Sequence, residues 1–141
     1  MMIKKIIHLM VLIFLTPLTL FAKSEYFSEG VNLYNQKKFN EAKFKFEQDL
    51  VFNPKSELSY LYLSKIFNKQ ENKKLQEQNL DAVILINPNN EEAVYSLAKL
   101  KLNSSDYKKS KELNVRLKSI CLKLCDKSED LKIEIENLSK K

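Results

Sequence analysis

Cys121 and Cys125 offer the most reactive chemistry in this chain of 141 residues. Four apart on a regular helix, their side chains share a face, but a disulfide needs a closer, bent approach, so the pair can bond only where the backbone turns. Such a turn is expected close by, near Asp126 to Ser128. Three readings stand: a local disulfide, two buried thiols, and a redox or metal role. The third lacks the two-residue spacing of a redox motif. The single histidine, His8, falls in an apolar N-terminal stretch that reads as a removable leader. The rest of the chain therefore has no imidazole for general acid–base work, a nucleophilic triad or a typical zinc site. Gly30 is the single glycine, too few for a phosphate-cradling loop or a strained nucleophile elbow. Two carboxylate pairs remain, Glu91–Glu92 and Glu129–Asp130. Both fall at expected helix starts, where acidic side chains suit the positive end of the dipole. The residues point away from catalysis and from any cofactor or metal.

The N-terminus sets the compartment. Met1 to Lys5 is basic, Ile6 to Phe21 is apolar apart from His8, Thr16, Pro17 and Thr19, and Leu20-Phe21-Ala22 offers a cleavage site. Residues 1–22 thus read as a secretory signal peptide. A retained membrane anchor is the alternative, but the apolar run is on the short side of a span and holds a proline near its end. No cysteine follows the run to accept a lipid. Export places the two cysteines where thiols tend to be oxidised, and puts most nucleic acid out of reach. The Lys, Asn and Ile richness resembles an AT-rich bacterial genome, which would make the compartment the periplasm. Two of the 24 Lys and Arg residues leave with the leader, so 22 remain against 18 Asp and Glu, a net charge of +4 rather than +6. Acidic and basic residues are interleaved, as at Glu41-Lys43-Lys45-Glu47, which is a solvated helix face and not a concentrated nucleic-acid footprint.

Beyond the leader, the chain is organised by a 34-residue period. Phe52-Asn53-Pro54-Lys55-Ser56-Glu57 returns as Ile86-Asn87-Pro88-Asn89-Asn90-Glu91. Gly30, Ser64 and Ala98 align as small residues, Tyr26, Tyr60 and Val94 as larger ones, and Phe39 returns as Tyr107. A fixed period of this size signals stacked helical repeats. Within the first period, Tyr26, Phe27, Gly30, Leu33 and Tyr34 form one helical pattern and Ala42, Phe46, Leu50 and Phe52 another, with the polar break Asn35 to Lys38 between them. Asn53-Pro54 and Asn87-Pro88 stop one hairpin, Ser56 and Asn90 can cap the next, and Glu57 and Glu91 fall in its first turn. After the third period, Leu131, Ile135 and Leu138 make a narrow apolar stripe over Ser128 to Leu138, which reads as a capping helix. The expected fold is all-α, about three antiparallel helix pairs plus that helix. The segments are 1–22 leader, repeats 23–56, 57–90 and 91–124, and 125–141 cap and tail.

The first repeat, with Tyr26, Gly30, Phe39, Ala42, Phe46 and Asn53-Pro54, resembles the tetratricopeptide repeat family. The second keeps Tyr60, Leu63, Phe67, Leu80 and Pro88 but has Lys73 and Gln76 where an aromatic and a small residue belong, so its hairpin is expected to be splayed or reset. The third keeps Leu97, Ala98 and Tyr107 and has Leu122 in place of the proline. The resemblance implies a right-handed solenoid whose concave groove is lined by the first helix of each pair. That template points Phe27, Val31, Tyr34 and Asn35 inward, then Leu58, Leu61, Tyr62, Lys65, Asn68 and Lys69, then Tyr95, Lys99 and Leu102. It implies a non-catalytic protein-binding module; the aromatic, aliphatic and lysine residues so placed suit a peptide or partner helix with apolar side chains and some acidic character, and with export the leading reading is a role in assembling an envelope complex. Relatives that grip a terminal carboxylate use lysine and asparagine where this chain has Phe27 and Val31, so that activity does not carry over. The competing readings are a structural subunit stacking end to end with other repeat proteins, and a thiol-dependent envelope protein acting through Cys121 and Cys125.

Overall fold

Three residues outside the right-handed regions punctuate the chain at steps of 34: Lys37, Glu71 and Ser105, with φ of 61°, 55° and 61°. Each lies in a short turn that reverses one helix into the next. In the first, the N–H of Lys37 donates to Tyr34 O at 2.9 Å and that of Lys38 to Leu33 O at 3.0 Å; Glu71–Asn72 and Ser105–Asp106 repeat the pair. This left-handed closure satisfies the last carbonyls of the outgoing helix. The residue after it starts the next helix, and the side chains of Asn72 and Asp106 accept the N–H groups of Leu75 and Lys109 at 3.1 Å.

The computed structural model describes residues 24–140; the expected leader, residues 1–22, lies outside them. Among the described residues there are seven helices and no strand: α1 (Glu25–Asn35), α2 (Phe39–Phe52), α3 (Glu57–Lys69), α4 (Lys73–Ile86), α5 (Glu91–Asn103), α6 (Tyr107–Ile120) and α7 (Cys125–Leu138). They stack as the hairpins α1/α2, α3/α4 and α5/α6, with α7 laid on α6. The second hairpin is not splayed: α3 and α4 touch as extensively as the other pairs. Lys73 is simply the exposed first residue of α4, while Gln76 is buried and Leu80 and Val83 fill the interior behind it. Helix α7 begins at Cys125, a turn before the expected Ser128. The connecting turn is Cys121–Leu124 and not Asp126–Ser128.

Two apolar clusters hold the stack. Phe27, Ala42, Phe46, Leu63, Ile66 and Phe67 join the first hairpin to α3. The larger cluster runs from Leu61 through Leu80, Val94, Leu97 and Leu117 to Leu131 and Ile135 of α7. Gly30 admits the Phe46 ring: a Cβ there would lie 2.8 Å from Phe46 Cε1. At the step where Val83 and Leu117 fill the core, the first repeat instead buries the carboxylate of Asp49, which accepts hydrogen bonds from the hydroxyls of Ser24 and Ser59. Ser56 precedes α3 without a side-chain cap; its hydroxyl donates instead to Ser59 Oγ at 3.0 Å.

The turns between repeats are tied across the stack. Glu57, in the first turn of α3, accepts from Asn87 Nδ2 at 2.9 Å and Asn90 Nδ2 at 2.5 Å. Its counterpart Glu91, in α5, accepts the N–H groups of Lys123 at 2.9 Å and Leu124 at 2.8 Å. Cys121 and Cys125 are joined by a disulfide across that same turn, with Cα atoms 5.3 Å apart.

Candidate binding groove

The first helices of the hairpins, α1, α3 and α5, bring most of the expected groove residues to one face, though not all remain available there. Phe27 and Leu61 are 5% exposed and Leu102 2%, which makes them core. The Phe27 ring packs 5.8 Å from Phe46 and 5.9 Å from Tyr62, filling the gap between α1 and α3. Leu61 and Leu102 belong to the larger cluster. Their inward-facing register is used by the neighbouring repeat, as a short solenoid must do to bury enough apolar surface.

What stays accessible begins with a tyrosine pair. Tyr62 stacks on Phe46 at 4.9 Å and receives the edge of Tyr34 at 5.1 Å; Tyr34 meets Phe39 at 5.4 Å. Both tyrosines and Val31 are half-buried, and Asn35, Asn68 and Lys69 are exposed. Burial raises the Tyr34 hydroxyl pKa, partly opposed by the Lys65 charge. Lys69 Nζ lies 5.2 Å from the Phe39 ring centre and Lys65 Nζ 5.2 Å from that of Tyr62. Lys65 also pairs with Glu92 at 2.8 Å, and Lys99, one period on, pairs with Glu134 at 2.6 Å. Two of the three expected groove lysines therefore already have carboxylate partners within the protein.

Two clefts open on the second half of this face. A cavity of about 640 Å³ lies between the α3/α4 hairpin and α5, lined by Asn68, Lys73, Gln76, Tyr95, Lys99 and Asn103. A second, of about 360 Å³, is lined by Glu92, Tyr95, Ser96, Lys123, Leu124 and Lys127. Tyr95 and Ser96 are common to both, and Lys127 Nζ stands 5.4 Å from the Tyr95 ring centre. The repeat template reaches Tyr95, Asn68 and Lys99 but misses Ser96, Asn103, Gln76, Lys123 and Lys127. Lys127 enters because α7 starts at Cys125, and Lys123 because it lies in the turn just before it; the 34-residue equivalent of Lys127 is the buried Ala93, so the period gave no signal for either. Among the described residues no group of three or more His, Cys, Asp or Glu could hold a metal ion.

The helix order and stacking match solved repeat structures. SycD, the type III secretion translocator chaperone of Yersinia enterocolitica, superposes with a TM-score of 0.76 at 11% identity, over 83% of this chain and 85% of that one. The Sgt2 TPR domain from Aspergillus fumigatus gives 0.70 at 16% identity, over 83% and 81%. The chain has the tetratricopeptide-repeat fold. The first TPR of Spaghetti (RPAP3), solved bound to the HSP90 peptide SRMEEVD, gives 0.71 at 11% identity over 81% and 90%. SycD in complex with a peptide of the translocator YopD gives 0.73 at 13% over 83% and 93%. The sequence matches no protein-family model and no curated protein.

Proposed function

We propose that this TPR solenoid is an exported, non-catalytic module that holds a segment of another protein across α3, α5 and the start of α7, in the assembly of an envelope complex. The observation that carries the reading is the pair of contiguous clefts meeting at Tyr95. The larger one is lined mainly by amides, a lysine pair and one aromatic ring. That lining suits a polypeptide, whose backbone offers donors and acceptors to the amides while an apolar side chain covers the ring. SycD and the Spaghetti TPR, which share the fold, were each solved with a peptide bound, which supports the same use here. The pairing of Lys65 with Glu92 and Lys99 with Glu134 lowers the positive potential on this face. Recognition therefore depends less on an acidic partner than free lysines would make it.

End-to-end stacking of arrays is less well supported. The outermost helices carry mostly polar exposed residues, Ser28, Glu29, Asn32 and Asn35 on α1 and Glu129, Asp130, Lys132 and Glu136 on α7, with Ile133 the apolar exception. Such faces terminate a solenoid. The test is affinity capture from envelope extract followed by mass spectrometry, with Tyr95→Ala beside Phe44→Ala, which alters an exposed residue of α2 away from the clefts. The partner captured by the natural chain should be depleted at least about tenfold by Tyr95→Ala and retained by Phe44→Ala. Equal capture by the Tyr95 variant would remove the groove from the explanation.

A further inference from the structure

The larger cleft coincides with three departures from the first repeat. Between the α1/α2 hairpin and α3, Tyr34 meets Phe39 at 5.4 Å and Tyr62 at 5.1 Å, and Tyr62 stacks on Phe46 at 4.9 Å. One period on, the positions of Tyr34, Phe39 and Tyr62 carry Asn68, Lys73 and Ser96. All three line the cleft of about 640 Å³ between the α3/α4 hairpin and α5. Helices α2 and α4 begin one period apart, at Phe39 and Lys73, so the register is kept. The cleft is thus the room that aromatic rings fill one repeat earlier.

A fourth departure puts a polar group at its base. Ala42, fully buried in the first hairpin, is followed one period on by Gln76, which is 7% exposed. Gln76 lines the cleft, and its side-chain amide makes no hydrogen bond to any described residue. A buried amide left unpaired is costly, so what enters the cleft must bring a hydrogen-bonding group to it. That group need not be charged. The ammonium of Lys99 is already held by Glu134, and Glu71 and Lys73 at the rim oppose each other in charge. Tyr95 and Leu100 supply apolar surface beside these polar groups.

We infer that this cleft is an anchor site for one tyrosine side chain of the partner polypeptide. The ring takes the place that Tyr34 and Tyr62 fill in the first repeat, against Tyr95 and Leu100, and the hydroxyl pairs with the Gln76 amide. Tyrosine joins an apolar body to a polar tip, which matches the mixed lining. A phenylalanine would fill the same room but close over the amide without pairing it. The assignment deepens the reading of the groove as a holder of polypeptide and rests on it: the first repeat fills its own inner face, and the second leaves that place to a partner.

The test is a titration of the isotopically labelled protein, followed by nuclear magnetic resonance, with N-acetyl-tyrosinamide and with N-acetyl-phenylalaninamide. The tyrosine amide should shift the Gln76 side-chain amide and the backbone amides of Ser96 and Lys99 saturably. It should bind at least about threefold more tightly than the phenylalanine amide. Gln76→Ala, which copies Ala42 of the first repeat, should bring the two affinities together. Ser96→Tyr, which copies Tyr62 and is checked for unchanged helicity, should abolish binding of both. No saturable shift, equal affinities in the natural chain, a preference that survives Gln76→Ala, or undiminished binding by Ser96→Tyr would each overturn the assignment. Partner capture keeps the two readings apart: if Tyr95→Ala loses the partner while Ser96→Tyr retains it, the groove stands and the tyrosine anchor falls.

Discussion

At Gly30 the choice of residue is set by a ring and not by the backbone. The position is helical, where alanine is favoured over glycine by about 1 kcal/mol, yet the added methyl would meet the fully buried Phe46 ring at 2.8–3.1 Å. Overpacking of this kind costs about 1–3 kcal/mol, and the ring, held between Phe27 and Tyr62, has nowhere to withdraw. Gly30→Ala is therefore expected to lower stability, by up to about 2 kcal/mol in urea unfolding. The clash is relieved if Phe46→Leu accompanies it. The second repeat already carries the smaller combination, Ser64 with Leu80 at the equivalent positions. A double variant no more stable than the sum of the two single changes would deny the coupling. Asp49 illustrates the reverse problem. Its sequence position looks like a solvated helix face, and only the tertiary neighbours Ser24 and Ser59 reveal a buried carboxylate.

The elements are joined by turns that solve one problem in two ways. Asn53-Pro54 and Asn87-Pro88 restrain the first two inter-repeat turns through proline, whereas Leu122 leaves the third without that restraint. There the Cys121–Cys125 disulfide and the Glu91 carboxylate hold the chain instead. The Lys123 N–H, with that of Leu124, stabilises the ionised carboxylate and lowers its pKa. A lowered folded-state pKa means that this contribution is full above the ordinary carboxylate range and is lost as pH falls through the depressed value. Glu91→Gln should thus flatten part of the acid limb of a melting-temperature profile. Superimposable acid limbs for the two proteins would assign the pH dependence elsewhere. The 34-residue step and the helical stripes made the hairpins legible in the sequence, because both are local patterns. The partners of Glu57 and Glu91 were not legible: they lie 30 to 33 residues on, so the sequence yields only their favourable place near a helix N-terminus. The left-handed turn residues were hidden too, since Lys37, Glu71 and Ser105 share no residue type. In the groove, helical register placed Phe27 and Leu61 on the correct helix face but could not say that the neighbouring repeat covers them.

Across the whole molecule, stability is distributed along a line, because each hairpin touches only its neighbours. Helix α7 closes that line. It buries Leu131 and Ile135 in the larger cluster, and its Glu134 holds Lys99. Burying two such side chains contributes about 3–6 kcal/mol, a large share of the roughly 5–15 kcal/mol that holds a domain folded. Truncation after Leu124 would uncover Leu113 and Leu117 and remove the wall of the smaller cleft at Lys127. The loss should not be uniform. The cluster around Phe27, Phe46, Ile66 and Phe67 contains no residue of α5, α6 or α7, so its amides can stay protected while α5 and α6 open. Hydrogen exchange of the truncated chain is expected to show fast exchange in α5 and α6 with slower exchange retained in α2 and α3. Simultaneous loss of protection in all six helices would mean that the solenoid unfolds as one unit, and that the fold depends on its terminal helix more than a chain of nearest-neighbour contacts allows.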